Sequence, residues 1–315
     1  MNVRRLWPVM VLAILITGCD STADEPAVES AAWRSFENAD GTVTRIPEKP
    51  ARILSTSVTV TGTLLAIEAP VVASAAAADH RFFSQWQPVA EARGVRKLWA
   101  AGSLDLESVL EVSPDLIVVS TGGADSALMH RADLASVAPT IVVDYGAQSW
   151  QELASELGRA TGRESQARQL ITAFDEFVRE AGERMEPPEG RANIISYNGP
   201  GITNPVATRE GAHGRLLRAL GFRIEQPVSA AAGAESSDQD FVRTPYEYLT
   251  RLEAPITFLT RVDDSGVDDF LNDPVLANLP SVQSGQVYGL GKHSFRIDYF
   301  SSREIVDGML ERFSR

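Results

Sequence analysis

The chain has 315 residues, 44% of them hydrophobic, with 42 acidic against 29 basic side chains and a formal net charge of −13. That supplies apolar material for two modest cores, and a chain this acidic lacks the basic face that nucleic acid requires. Its one cysteine, Cys19, excludes an intramolecular disulfide and a cysteine metal cluster, and His80, His130, His213 and His293 show no metal-ligand spacing.

Residues 1–18 combine a charged start, an apolar stretch from Leu6 to Thr17 and a small residue, Gly18. This is an export signal, too short in its apolar part for an ordinary spanning helix. Cys19 follows Ile16-Thr17-Gly18 directly, the pattern of bacterial lipoproteins, in which the cysteine is acylated and begins the mature chain. An incidental cysteine past a signal is the plain alternative. Loss of Arg4 and Arg5 with the leader takes the charge to near −15. Residues 19–32 are small, polar and acidic and read as a flexible tether.

Trp33 to Ile46 reads as a β-hairpin turning at Asn38-Ala39-Asp40-Gly41. Strands are then predicted at 52–57, 70–74, 114–120 and 139–144, and helices at 59–67, 104–112, 126–137 and 149–161. Continuously apolar strands alternating with helices predict a parallel sheet covered on both faces, an N-terminal lobe over 33–162. In residues 163–186, Leu170, Ile171, Phe174, Phe177, Val178, Ala181 and Met185 recur at helical spacing. They predict one unbroken helix about 36 Å long. A looser α/β pattern fills 187–315, with strands at 192–197, 255–260 and 286–290, helices at 209–220, 244–252, 272–279 and 301–313, and a loop over 229–240. The expected fold is therefore two α/β lobes joined by a single long helix, with a ligand cleft between them.

No G-x-S-x-G, P-loop or G-x-G-x-x-G pattern occurs, so the chain reads as a binder rather than an enzyme. Thr121-Gly122-Gly123, between a strand and a helix, reads either as an anion cradle or as a plain turn. Ligands of α/β sheets bind at the loops that follow the strands. The loop 76–86 carries Arg81, Phe83 and Trp86, and the segment 292–296 carries Phe295 and Arg296. A guanidinium beside aromatic rings suits an aromatic anion. The plain alternative buries the rings and leaves the arginines in surface ion pairs.

Four blocks resemble the periplasmic ferric-enterobactin-binding proteins of siderophore ABC transporters: residues 51–70, Thr121 to Leu128, Val137 to Tyr145 and Ser294 to Ser301. The likeness runs from about Arg52 to the end. It is most specific in the first and last blocks and weakest between Gly199 and Val242. It implies the helical-backbone (class III) periplasmic-binding-protein fold and a trianionic ferric tris-catecholate ligand. The siderophore fills the iron's coordination sphere, so no metal-ligating residue and no cofactor is implied. Phe295 and Arg296 match the family's pocket motif. Arg81 lies in a loop that carries a family arginine and is shorter here. Ala207 stands where the family shows a tryptophan, which leaves Arg209, Arg243 and Tyr197 as candidates for the second lobe's wall. Arginines from both lobes are thus expected to converge on the ligand. Glu107 and Glu247 match the acids through which the family docks on its permease. An acid near a helix N-terminus, favourable for the dipole alone, is the plain alternative. The resemblance also implies an ABC permease and ATPase as partners, while the export signal, Cys19 and the Asp20 after it predict a chain, expected as a monomer, anchored to the inner membrane outside the cytoplasm. The alternative within the fold is a receptor for haem, cobalamin or a hydroxamate siderophore, with His293 or His80 meeting a haem iron. A siderophore hydrolase is the rival of another class.

Overall fold

The computed structural model describes residues 32–227 and 240–314. The export signal, Cys19 and the tether up to residue 31 lie outside the described residues, as does nearly all of the loop expected over 229–240. Among the described residues no helix is long and apolar enough to cross a membrane.

The chain opens with an antiparallel hairpin of β1 (Trp33–Glu37) and β2 (Val43–Pro47). Phe36 and Ile46 point inward, and Asn38 Oδ1 accepts a 2.8 Å bond from the Val142 amide, pinning the turn to the neighbouring sheet. The first lobe then runs β3 (Ile53–Ser55), α1 (Val58–Ala66), β4 (Val71–Ala76), α2 (Gln87–Ala92), β5 (Arg96–Ala100), α3 (Leu106–Val112), β6 (Leu116–Ser120), α4 (Arg131–Ala135), β7 (Thr140–Val143) and α5 (Trp150–Thr161). Its five strands are parallel in the order β5-β4-β3-β6-β7. Strands β3, β6 and β7 are buried throughout, which is why they read as continuous apolar runs.

α6 (Glu164–Arg184) is the long helix, and it buries Ala167, Phe174, Val178 and Ala181. Two glycines set how closely it packs. A Cβ at Gly158 of α5 would lie 3.0 Å from Ala167 Cβ, and one at Gly182 would lie 2.9 Å from the Ala219 carbonyl. The helix thus seats its first half on α5 and its last turn on α7 (Ala212–Ala219) of the second lobe. One continuous apolar core runs from Val60 and Leu64 through Phe174 and Val178 to Phe222 and Phe258.

The second lobe contains β8 (Arg191–Ile195), β9 (Asn204–Ala207), α7, β10 (Arg223–Ile224), β11 (Phe241–Thr244), β12 (Ile256–Leu259), α8 (Asp268–Leu271), α9 (Pro280–Gln283), β13 (Val287–Gly289) and α10 (Tyr299–Phe313). Its sheet runs β11-β9-β8-β12-β13, with β10 also paired to β8. Unlike the sheet of the first lobe this one is mixed, because β9 pairs antiparallel with both β8 and β11. Pro205 within β9 removes an amide and masks the strand in sequence. Three expected helices are corrected. Residues 126–137 form a 3-10 turn at Leu128–His130 followed by the short α4. Residues 244–252 are the end of β11 followed by a 3-10 turn over Tyr246–Arg251. Pro245 holds Thr244 extended, so the helix cannot start there. Residues 272–279 form turns between α8 and α9.

Candidate functional site: the interlobe cleft

In the first sheet the chain proceeds outward from β3 to one side, then returns to build β6 and β7 on the other. A crevice opens at such a reversal, beyond the carboxyl ends of the two strands. A cavity of about 600 Å3 lies there. Thr59 and Thr63 line it after β3, Thr121-Gly122-Gly123 after β6, and Asp144, Tyr145 and Gln148 after β7. The second lobe closes it with Ala212, His213, Phe241, Arg243 and the segment Phe295–Asp298.

The first turns of α1, α5 and α7 open on this cavity, as does Asp298, the N-cap of α10. Helix N-termini carry partial positive charge, and here each is met by a carboxylate of the chain. Two acids in the wall are helix caps. Asp240 Oδ1 accepts from the Ala212 amide at 2.7 Å, and Asp298 Oδ1 accepts from the Ser301 amide at 2.8 Å. Burial pushes the Asp298 carboxyl above the ordinary range, against the capping bonds from Ser301 and a 3.1 Å bond from Gln85 Nε2.

Arg243 and Arg296 are the cations in the wall, and neither pairs with a carboxylate among the described residues. Both come from the second lobe, which corrects the expectation of arginines converging from both halves. The first lobe meets Arg296 with a ring instead: its guanidinium carbon lies 5.5 Å from the Tyr145 centroid. Tyr145 is itself held, its hydroxyl donating to Asp125 Oδ1 at 3.0 Å. Buried Asp125 also accepts from Ser57 Oγ at 2.6 Å and from the Thr59 amide at 3.0 Å. Burial pushes the Tyr145 phenol up and the Asp125 charge adds to this, while Arg296 opposes it. Gly123 makes room, because a Cβ there would sit 1.8 Å from the Tyr145 hydroxyl.

On the second lobe the wall is aromatic. Phe295 stacks on Phe241 at 5.8 Å, and Phe241 meets the His213 ring at 5.1 Å. His213 Nε2 lies 2.5 Å from the Ser294 carbonyl, which requires a proton on that nitrogen.

Of the residues singled out in the sequence, Phe83, Arg243, Phe295 and Arg296 line the cavity and four others do not. Trp86 is fully buried, 5.0 Å from Phe82, in the slot that Gly62 of α1 leaves open. Arg81 is 76% exposed and paired with Asp79. Tyr197 packs edge-on to Phe270 and donates to Asp273 Oδ2 at 2.6 Å. Arg209 folds back on its own sheet, its Nε donating to the Ile224 carbonyl at 3.0 Å. Glu107 and Glu247 are exposed on the first turn of α3 and on the 3-10 turn after β11. His293 has both ring nitrogens engaged, Nδ1 with Glu304 and Nε2 with Ser84, each at 2.7 Å. Sequence reasoning missed Thr59, Tyr145, His213 and Phe241. Tyr145 alone carried a signal, as an aromatic directly after a strand.

A family model described as periplasmic binding protein matches residues 53–293. The chain is 37% identical, over 98% of its length and all of the relative's, to the ferric enterobactin-binding periplasmic protein FepB of Escherichia coli O6:H1. It is 19% identical to the probable siderophore-binding lipoprotein YfiY of Bacillus subtilis, over 91% of this chain and 90% of that one. Among solved structures, holo-ViuP matches with a TM-score of 0.85 and 53% identity, covering 90% of this chain and 95% of that one.

Proposed function

We propose a ligand and a route for this chain, which belongs to the periplasmic binding protein family: it captures a ferric catecholate siderophore in the interlobe cleft and delivers it to an ABC importer. It is a substrate-binding protein and not an enzyme. The observation that carries the reading is Arg296, half-buried in the cavity wall, facing Tyr145 across the cleft with Arg243 in the same wall. At an effective dielectric constant of about 20, one charge pair at 6 Å contributes roughly 3 kcal/mol before desolvation. Two guanidiniums without a carboxylate partner among the described residues therefore favour an anion over a neutral ligand, and Phe83, Phe241 and Phe295 suit its rings. The relative named for ferric enterobactin points to the same ligand class. No residue needs to reach the iron, since the siderophore saturates it. His293, with both nitrogens engaged, fits a haem ligand poorly.

Lobes over 33–162 and 187–315 on either side of the helix at 163–186 complete the reading. Exposed Glu107 and Glu247 dock the two lobes on the permease. Acylated Cys19 anchors the protein at the membrane; YfiY, by name, is a lipoprotein.

Trp150, in the cavity wall, provides the test. Ferric enterobactin is expected to quench the intrinsic fluorescence, and Arg296→Ala to weaken binding tenfold or more, roughly 1.4 kcal/mol. Equal affinity of the variant and the parent would remove Arg296 from the site. A response to haem or to ferric hydroxamates, with none to ferric enterobactin, would replace the ligand class.

A further inference from the structure

We infer that Arg261, at the carboxyl end of β12, is a further ligand-selecting cation on the second lobe's lip of the cleft, preset by neutral contacts. The inference rests on the reading of the cleft as an anion site.

The first observation is in the backbone. Arg261 has φ +66°, in the left-handed region that side chains other than glycine and asparagine rarely enter. Such a conformation persists only where the surroundings over-determine it, and it gathers at binding sites. The surroundings here are specific. The Arg261 amide donates to Ser294 Oγ at 3.0 Å, and the Gly291 amide donates to the Val262 carbonyl at 2.8 Å. These bonds lash the turn after β12 to the segment that carries Phe295 and Arg296.

The second observation is in the side chain. Arg261 Nη2 donates to Ser196 Oγ at 2.7 Å and to Asn198 Oδ1, and its guanidinium carbon lies 4.9 Å from the Phe295 centroid. Phe295 lines the cavity. All three partners are neutral. Arg81 and Arg179, by contrast, pair with acids, Asp79 and Glu183. Arg261 has no carboxylate partner among the described residues, although Asp263 is two positions away. That acid is taken by Lys292 Nζ at 2.9 Å and by Ser265 Oγ at 2.5 Å. The fold thus occupies the nearby acid with other partners and holds an exposed guanidinium over a cleft-lining ring, with no carboxylate partner among the described residues.

A planar cation held over a cleft-lining ring suits an anionic aromatic ligand. A charge at the lip also acts on encounter and on discrimination between ligands more than on burial. Arg261 should therefore favour trianionic ferric tris-catecholates and be indifferent to uncharged ferric hydroxamates.

The test compares the parent protein with Arg261→Ala, Arg261→Gly and Arg296→Ala, titrated with ferric enterobactin at low and at high salt alongside thermal unfolding. Arg261→Gly relieves the left-handed backbone, so it keeps or raises the unfolding temperature. Both Arg261 variants are expected to bind about tenfold more weakly at low salt, with the deficit shrinking as salt screens the charge. Three results would overturn the inference. Parental affinity in both Arg261 variants while Arg296→Ala is weakened removes Arg261 and leaves the cleft reading intact. A salt-independent loss that tracks a lowered unfolding temperature makes Arg261 structural only. No binding of ferric enterobactin by the parent removes the cleft reading and this inference together.

Discussion

Asp273 accepts two phenols on one oxygen: Tyr197 at 2.6 Å and Tyr246 at 2.5 Å. Burial pushes its carboxyl up, but the tyrosine hydroxyls and the Val275 and Leu276 amides outweigh burial and hold it below the ordinary 3.8. Burial and the same carboxylate push the Tyr246 phenol up to about 12. A carboxyl whose folded value is lowered stabilises fully above the unfolded value and loses that contribution as pH falls through the folded one. Asp273→Ala leaves both phenols without their acceptor and should cost about 2–3 kcal/mol near neutral pH. Urea unfolding should show the gap from the parent closing below about pH 4. At the cleft, Gly123 has φ +92° and no space for a methyl group beside Tyr145. Gly123→Ala should displace the phenol from Asp125, lower the unfolding temperature and weaken ferric siderophore binding. Tyr145→Phe keeps the ring under Arg296 and should bind nearly as the parent does, since cation–π attraction acts through the ring face. Parental binding by Gly123→Ala would show that the position of Tyr145 is immaterial.

At the scale of elements, α6 sets a contest between propensity and packing. Replacing a mid-helix glycine by alanine gains about 1 kcal/mol in an exposed helix. At Gly182 the added carbon would meet the Ala219 carbonyl at 2.9 Å, backbone that cannot turn aside. Overpacking of this kind costs about 1–3 kcal/mol. Gly182→Ala is therefore expected to destabilise, or at best to break even; a clear rise in the denaturant midpoint would show that α6 and α7 yield to each other. The strongly periodic elements α5, α6 and α7 were legible because each turns one apolar stripe inward. The six-residue α2 and the edge strand β5, which starts Arg96-Lys97 with both side chains exposed, gave no such pattern.

At the scale of the molecule, the shared core and the continuous α6 oppose a wide hinge. X-ray scattering should show little change in the radius of gyration on ligand binding; a large contraction would mean that the lobes move as independent bodies. The proposed anchoring at Cys19 has its own test. Cys19→Ser should move the protein from the membrane to the soluble fraction, because stable attachment needs the acyl chains. A variant that stays with the membrane would exclude acylation as the anchor.

The sequence by itself determined the alternation of strands and helices, the joining helix and the pair Phe295-Arg296, because apolar periodicity and local motifs are properties of neighbouring residues. Only the tertiary structure decided which candidates share a surface. Trp86 and Arg81 sit five positions apart on one loop, yet one fills the core and the other faces solvent. Tyr145 and Arg296 are far apart in the chain and meet across the cleft. The direction of a side chain depends on what packs against its backbone from distant segments, such as the slot at Gly62 for Trp86 and the carboxylate of Asp125 for Tyr145. No window of sequence holds both members of such a pair.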